Sequence, residues 1–301
     1  MRTRTLVLLL ASILVLAACG SDDADTPAGG SEGEAKVSPD DFSTPFGGAE
    51  VYPVLASSEI TVGQNRFLIG LLDSNDAPTG SPEISVEVSF YDLEASEAEP
   101  VGTETAEFIY IVKEQKRGLY VAHPSFERAG EWGAEFSITG DGIDETLRTK
   151  FQVAEESTTP AVGDKVPASD TPTLDDAPIE ELSTDDDPVK RFYETSIAEA
   201  LKRGEPFVAV FATPKFCVSA VCGPTLDDVE AVAEDFPEIT FIHTEIYQDN
   251  DPSNPPVEAV TEWGLPSEPW VFVVDGAGRL VAKFEGSAPA VELRPVLEGL
   301  K

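Results

Sequence analysis

Between residues 50 and 153 apolar side chains alternate with polar ones in short segments, and from residue 196 onward apolar runs are separated by stretches with helical spacing. In the first region Val86, Val88 and Phe90 share one face of a period-2 strand, and Ser85, Glu87, Ser89 and Tyr91 share the other. The same pattern predicts strands at 59–62, 66–72, 84–91, 107–112, 118–122, 132–138 and 147–153, parted by Gly, Pro, Asn and Asp turns. Several short strands so spaced predict a β-sandwich of about a hundred residues.

The second region reads as a different class. A helix is predicted at 196–203, with Ile197, Ala200 and Leu201 on one face and Gly204 and Pro206 ending it. Residues 207–211 are continuously apolar, as expected of a strand covered on both faces. A helix at 224–234, a strand at 239–246, a helix at 256–263 and strands at 270–274 and 279–284 follow. The two last strands flank the turn Asp275-Gly276-Ala277-Gly278. A helix at 290–300 closes the chain, with Val291, Leu293 and Leu297 predicted inward.

Two further segments carry no core pattern. Arg2 and Arg4 precede an apolar run at 6–18 that is too short to span a bilayer and ends in Leu16-Ala17-Ala18-Cys19. This is a lipobox: residues 1–18 are expected to be a signal peptide and Cys19 the lipidated first residue of the mature protein. Residues 155–188 hold eleven Asp or Glu against the single Lys165, and five prolines lie within 154–188. This composition predicts an extended, self-repelling linker. The expected organisation is signal peptide 1–18, acidic tether 19–48, β-sandwich 49–153, acidic Pro-rich linker 154–188 and an α/β domain at 189–301.

The whole chain of 301 residues carries a formal charge of −36. A field of that sign repels nucleic acid and anionic headgroups, so neither is an expected partner. With Cys19 lipidated, Cys217 and Cys222 are the remaining thiols, and on the outer side of a membrane they are expected to pair. Helical residues five apart lie about 8.6 Å from Cα to Cα, beyond the roughly 7 Å reach of a disulfide, so segment 217–222 is predicted to be a loop when oxidised. Pro224 suits a first helical position, which places Cys222 just outside the helix, where the dipole would stabilise its thiolate.

An apolar strand leading into Cys222-Gly223-Pro224, a helix there, and Gly264-Leu265-Pro266-Ser267-Glu268-Pro269 ahead of a hairpin together resemble the thioredoxin-like superfamily. Val162-Gly163-Asp164-Lys165-Val166-Pro167 is similar to the leader of its extracytoplasmic members. The resemblance implies a cis-proline at Pro269 packed against the active-site cysteine. Gly118-Leu119-Tyr120-Val121-Ala122 and Ala129-Gly130-Glu131-Trp132 resemble paired late strands of small immunoglobulin-like modules. The chain departs from the thioredoxin pattern in having four residues between Cys217 and Cys222, and Thr225 where the second cysteine of Cys-x-x-Cys would stand. Either cysteine fits the nucleophile position, and the Gly-Pro after Cys222 favours Cys222, with Cys217 as its partner. Strand 207–211 lacks the acidic residue that serves as proton acceptor in the family; Glu268 or Glu245 could substitute for it, while exposed glutamates are the default reading of both.

Two neighbouring resemblances fit less well. Thr213-Pro214 followed by Cys-x4-Cys looks like the bacterioferritin-comigratory peroxiredoxins, but one residue too many precedes Cys217 and no arginine precedes strand 270–274. Copper-delivery relatives use two cysteines and a histidine. Here His243 reads as a core residue and His123 as a surface loop residue, so no metal and no cofactor are expected. The expected fold is a multidomain chain, an all-β immunoglobulin-like sandwich followed by an α/β thioredoxin-like domain, lipid-anchored on the extracytoplasmic face of a membrane. Its expected activity is thiol-disulfide exchange with extracytoplasmic proteins through Cys217, Cys222 and Pro269. The alternatives are a binding or scaffold protein with a structural disulfide and, as a lesser one, a peroxidase.

Overall fold

The computed structural model describes residue 42 and residues 46–300. The expected signal peptide, the lipidated Cys19 and most of the acidic tether lie outside the described residues. Nine strands make up the first half: β1 (Val51–Leu55), β2 (Gly63–Gln64), β3 (Phe67–Asp73), β4 (Ser85–Asp92), β5 (Gly102–Val112), β6 (Arg117–Ala122), β7 (Ser125–Phe126), β8 (Gly130–Gly140) and β9 (Ile143–Val153). Seven of them form one sheet in the order β1-β3-β6-β5-β4-β8-β9. Strand β5 turns the corner, since its residues up to Ala106 pair with β4 and those from Glu107 pair with β6. The two halves of the sheet therefore face each other, and Phe67, Tyr120, Val88, Trp132, Phe136 and Phe151 share the core between them.

Period-2 alternation is realised on β4, where Val86, Val88 and Phe90 are buried and Ser85 and Glu87 are exposed. Tyr91, predicted on the outer face, is buried there by Phe42, whose ring centroid lies 5.1 Å away. Strand β1 was not foreshadowed by the pattern because Pro53 interrupts it. Pro53 is tolerated because β1 lies at the end of the strand order, an edge where a missing N–H costs little.

The second half consists of α1 (Ile179–Leu182), α2 (Ile197–Arg203), β10 (Phe207–Phe211), α3 (Cys222–Ala233), β11 (Thr240–Thr244), α4 (Glu258–Glu262), β12 (Trp270–Val274), β13 (Leu280–Glu285) and α5 (Ala290–Glu298). Its four strands form a mixed sheet ordered β11-β10-β12-β13, with β10 parallel to β11 and antiparallel to β12. Every residue of β10 and β12 is buried. Val208 and Val210 join Leu226, Val229, Leu293 and Leu297 on one side, whereas Phe207, Ala209 and Phe211 join Ile197, Val260 and Trp263 on the other. Full burial of each such side chain is worth about 1.5–3 kcal/mol, which explains the unbroken apolar run. Helix α2 starts on a Ser196–Glu199 capping box and stops at Gly204 with φ of 68°. In α5, Leu293 and Leu297 face inward as predicted, but Val291 is 63% exposed.

The segment 154–188 differs from the expected extended linker. Its backbone is mostly irregular, yet Val166 and Leu182 enter the two cores of the second half, and Thr159, Ser169, Thr171 and Thr173 are buried. Polar side chains allow this because they find partners: the Ser169 hydroxyl accepts from Trp263 Nε1 at 3.1 Å, and Thr171 Oγ1 accepts from the Ile197 amide at 3.1 Å. The halves are also tied directly. Arg66 donates to both carboxylate oxygens of Glu292, at 2.9 and 2.7 Å, and to the Glu285 carbonyl at 2.8 Å. Glu59 accepts from Ser157, Thr158, Thr159 and Lys283. Burial alone would raise the Glu59 carboxyl, but the hydrogen bonds from Ser157 and Thr158 and the Lys283 charge hold it down at about 2. Among the described residues no helix is long and apolar enough to cross a membrane.

Candidate functional site

Strand β10 ends at Phe211 and hands the chain to a loop that carries Cys217 and then enters α3 at Cys222. The two cysteines are joined by a disulfide with Cα atoms 5.9 Å apart, and the intervening segment is a turn, as the spacing required. Ala220 takes a left-handed φ of 57° to close that turn, and its amide donates to the Cys217 carbonyl at 3.2 Å. Helix α3 begins two residues earlier than predicted. Cys222 is its first residue and Pro224 its third, a position in the first turn where the missing N–H has no helical acceptor to serve.

The two sulfurs are unlike in access. Cys222 is fully buried, while Cys217 is partly exposed beside the fully exposed Val218. This access runs against the favoured alignment, in which Cys222 was the nucleophile and Cys217 its partner. Val221 explains it: this side chain packs against Leu68, Ile109, Ile111, Val112 and Val121 on the outer face of the sandwich and draws the start of α3 inward. The Lys113–Asp228 ion pair closes the same contact.

Pro269 is buried and its peptide bond with Glu268 is cis, as the resemblance implied. Glu268 is the residue that this placement brings to the cysteines. Its Oε2 accepts from the Thr213 amide at 2.8 Å and lies 3.6 Å from Cys222 Sγ. Burial pushes its carboxyl above the usual range, against the opposing pull of the Thr213 hydrogen bonds. Glu245, read as exposed from the sequence, is 5% exposed, and burial pushes it up to about 7 although Thr184 donates to Oε1 through its amide, at 2.6 Å, and its hydroxyl, at 2.9 Å. Thr184 belongs to the segment expected as a linker, so that segment walls the site. A groove of about 610 Å3 runs from Phe216 and Gly223 along Asp185, Asp186 and Glu180.

The remaining candidates stand apart from the cysteines or are core residues. His243 is 2% exposed and bonded to the Tyr193 hydroxyl at 2.6 Å and the Ala212 carbonyl at 3.0 Å; burial lowers it to about 4, so it is neutral. His123 is exposed in the first half. Sequence reasoning missed the burial of Glu245 and Glu268; the one available signal was the position of Glu268 directly before Pro269.

No protein-family model and no curated protein matches the chain. Solved structures offer weak likenesses. A β-glucuronidase of Parabacteroides merdae is 16% identical with a TM-score of 0.24, over 39% of this chain and 15% of its own. A putative superoxide reductase of Thermotoga maritima is 14% identical at 0.22, over 35% and 86%, and the Lin-41 filamin domain is 14% identical at 0.18, over 33% and 90%. The chain thus spans under a sixth of the length of the glucuronidase. Likenesses at these scores assign neither fold family nor activity.

Proposed function

We propose that the protein is a surface-anchored lipoprotein in which an immunoglobulin-like sandwich carries a thioredoxin-like half, and that Cys217 and Cys222 exchange disulfides with other extracytoplasmic proteins. The observation that supports this most is the asymmetry of the pair: one sulfur accessible in a loop, the other buried at a helix start beside a carboxyl. The roles follow from access. The Cys217 thiolate attacks a partner disulfide, forming a mixed disulfide and releasing one partner thiolate. Cys222 then loses its proton to Glu268 and attacks the Cys217 sulfur, which restores the 217–222 bond and releases the second partner thiolate. The partner gains two electrons and the pair loses two. Mixed disulfides need the first thiol without the second, so Cys222→Ser should accumulate covalent partners in cells and Cys217→Ser should not. If neither variant traps a partner, and each only loses the roughly 2 kcal/mol that closing so short a loop provides, the bridge is a structural staple and the protein a binding module.

A further inference from the structure

Cys217, Cys222 and Glu268 each offer one ligand atom, and these atoms lie within 4.8 Å of one another. We propose that the reduced site is a zinc site, with the two thiolates and the Glu268 carboxylate as ligands, and that oxidation of the pair to the disulfide expels the metal.

Geometry carries this further than a mere grouping of residues. In a tetrahedral site with Zn–S of about 2.3 Å and Zn–O of about 2.1 Å, the S···O edge is about 3.6 Å and the S···S edge about 3.8 Å. Glu268 Oε2 stands 3.6 Å from Cys222 Sγ. The sulfurs must part once the disulfide is cleaved, and rotation of Cys217 in its partly exposed turn supplies that movement while Cys222 stays fixed in the core. Outer contacts are already in place. The Thr213 amide holds Glu268 Oε2 at 2.8 Å, and around Cys217 Sγ stand the Cys222 amide at 3.3 Å and the Ser219 hydroxyl at 3.2 Å. Cys222 also opens a twelve-residue helix, whose N-terminal dipole favours a thiolate there. Three protein ligands leave the fourth tetrahedral position to water.

The donor set selects the metal. Two thiolates alone suit copper(I), but a carboxylate as third ligand favours a divalent ion such as zinc. The balance is simple. A dithiol reductant passes two electrons and two protons to the disulfide and becomes a disulfide itself; Zn2+ then displaces the two thiol protons, and in the reverse direction a disulfide oxidant takes two electrons from the bound thiolates, becomes two thiolates and frees Zn2+ as the 217–222 bond forms. This requires only that the bridge be reducible, so it stands or falls separately from exchange with protein partners.

The test uses the full chain, reduced with a phosphine and titrated with Zn2+ against a chromophoric chelator, and with Co2+ as a spectroscopic substitute. One equivalent should bind with a thiolate-to-cobalt charge-transfer band and the intense visible bands of a tetrahedral ion, and the oxidised chain should bind none. Zinc should shield both thiols from alkylation. Cys217→Ser and Cys222→Ser should each abolish the cobalt spectrum, and Glu268→Gln should weaken zinc at least about tenfold. The folded state of Glu268→Gln is checked by near-ultraviolet dichroism of its oxidised form, with Glu268→Asp as a second variant expected to retain part of the affinity. A reduced chain that binds no more Zn2+ or Co2+ than the serine variants overturns the site. Zinc affinity unchanged in a folded Glu268→Gln, or a preference for copper(I) that ignores this substitution, overturns the three-ligand geometry.

Discussion

Replacing Glu59 by Gln keeps the shape of the side chain and removes the charge around which Ser157, Thr158, Thr159 and Lys283 gather. The Glu59 carboxyl falls from 4.5 to about 2 on folding. At about 1.36 kcal/mol per pH unit this amounts to about 3.4 kcal/mol, and screening at a site that is only partly buried reduces it to about 1.5–3 kcal/mol. The folded-state value is depressed, so the stabilisation is complete above the unfolded value of 4.5 and fades as pH falls toward 2. By pH 3 about three-fifths of it is gone. Urea unfolding of parent and Glu59→Gln, followed by tryptophan fluorescence at pH 7, 5 and 3, isolates this effect because other carboxylates cancel between the two proteins. The difference should be about 1.5–3 kcal/mol at pH 7 and pH 5 and shrink by more than half at pH 3. A difference that stays constant across that range, or one below about 0.5 kcal/mol at pH 7, would refute the claim that this ionised carboxylate holds the halves together.

Glu230 works in the opposite direction: burial, with Asp185, Asp227 and Asp187 nearby, pushes it up to about 7, so the folded state binds an extra proton between 4.5 and 7 and stability falls as pH rises through that window. Glu230→Gln should therefore match the parent at pH 4 and exceed it by about 1–2 kcal/mol at pH 8 in urea unfolding, whereas equal stability at pH 8 would contradict the shift. For the anchor, Cys19→Ser should release the protein from the membrane fraction or leave its leader uncleaved; a variant processed and retained like the parent would exclude lipidation at Cys19.

The elements that fill two cores at once were the most legible. The ranges 207–211 and 270–274 coincide with β10 and β12, because a strand covered on both faces has an apolar residue at every position, and Pro206 and Pro269 mark where each run begins. The first half of β5 was not legible, since Thr103, Glu104 and Thr105 pair with β4 without contributing an apolar side chain to the core. The segment 154–188 misled for a related reason: its acidic residues face outward, and its anchoring relies on scattered Thr, Ser and Val residues that composition averages away. At the site, the disulfide and the cis bond before Pro269 were readable from spacing and resemblance. The buried carboxylates were not. Glu245 is enclosed by Thr184, 61 positions away, and Glu268 is held by Thr213, 55 positions away, and no local pattern encodes contacts at that range.

The seat of Val221 on the sandwich bears on how the protein is made. The chain emerges N-terminus first, with the strands of the first half, complete at Val153, ahead of the cysteine-bearing loop, so the surface formed by Leu68, Ile109 and Val121 can exist before Val221 emerges. When it does emerge, a ready hydrophobic surface receives it and orients the start of α3, which reduces the search by which two sulfurs five residues apart come within bonding reach. Chain order thus places the surface that seats Val221 ahead of the loop in which the disulfide closes.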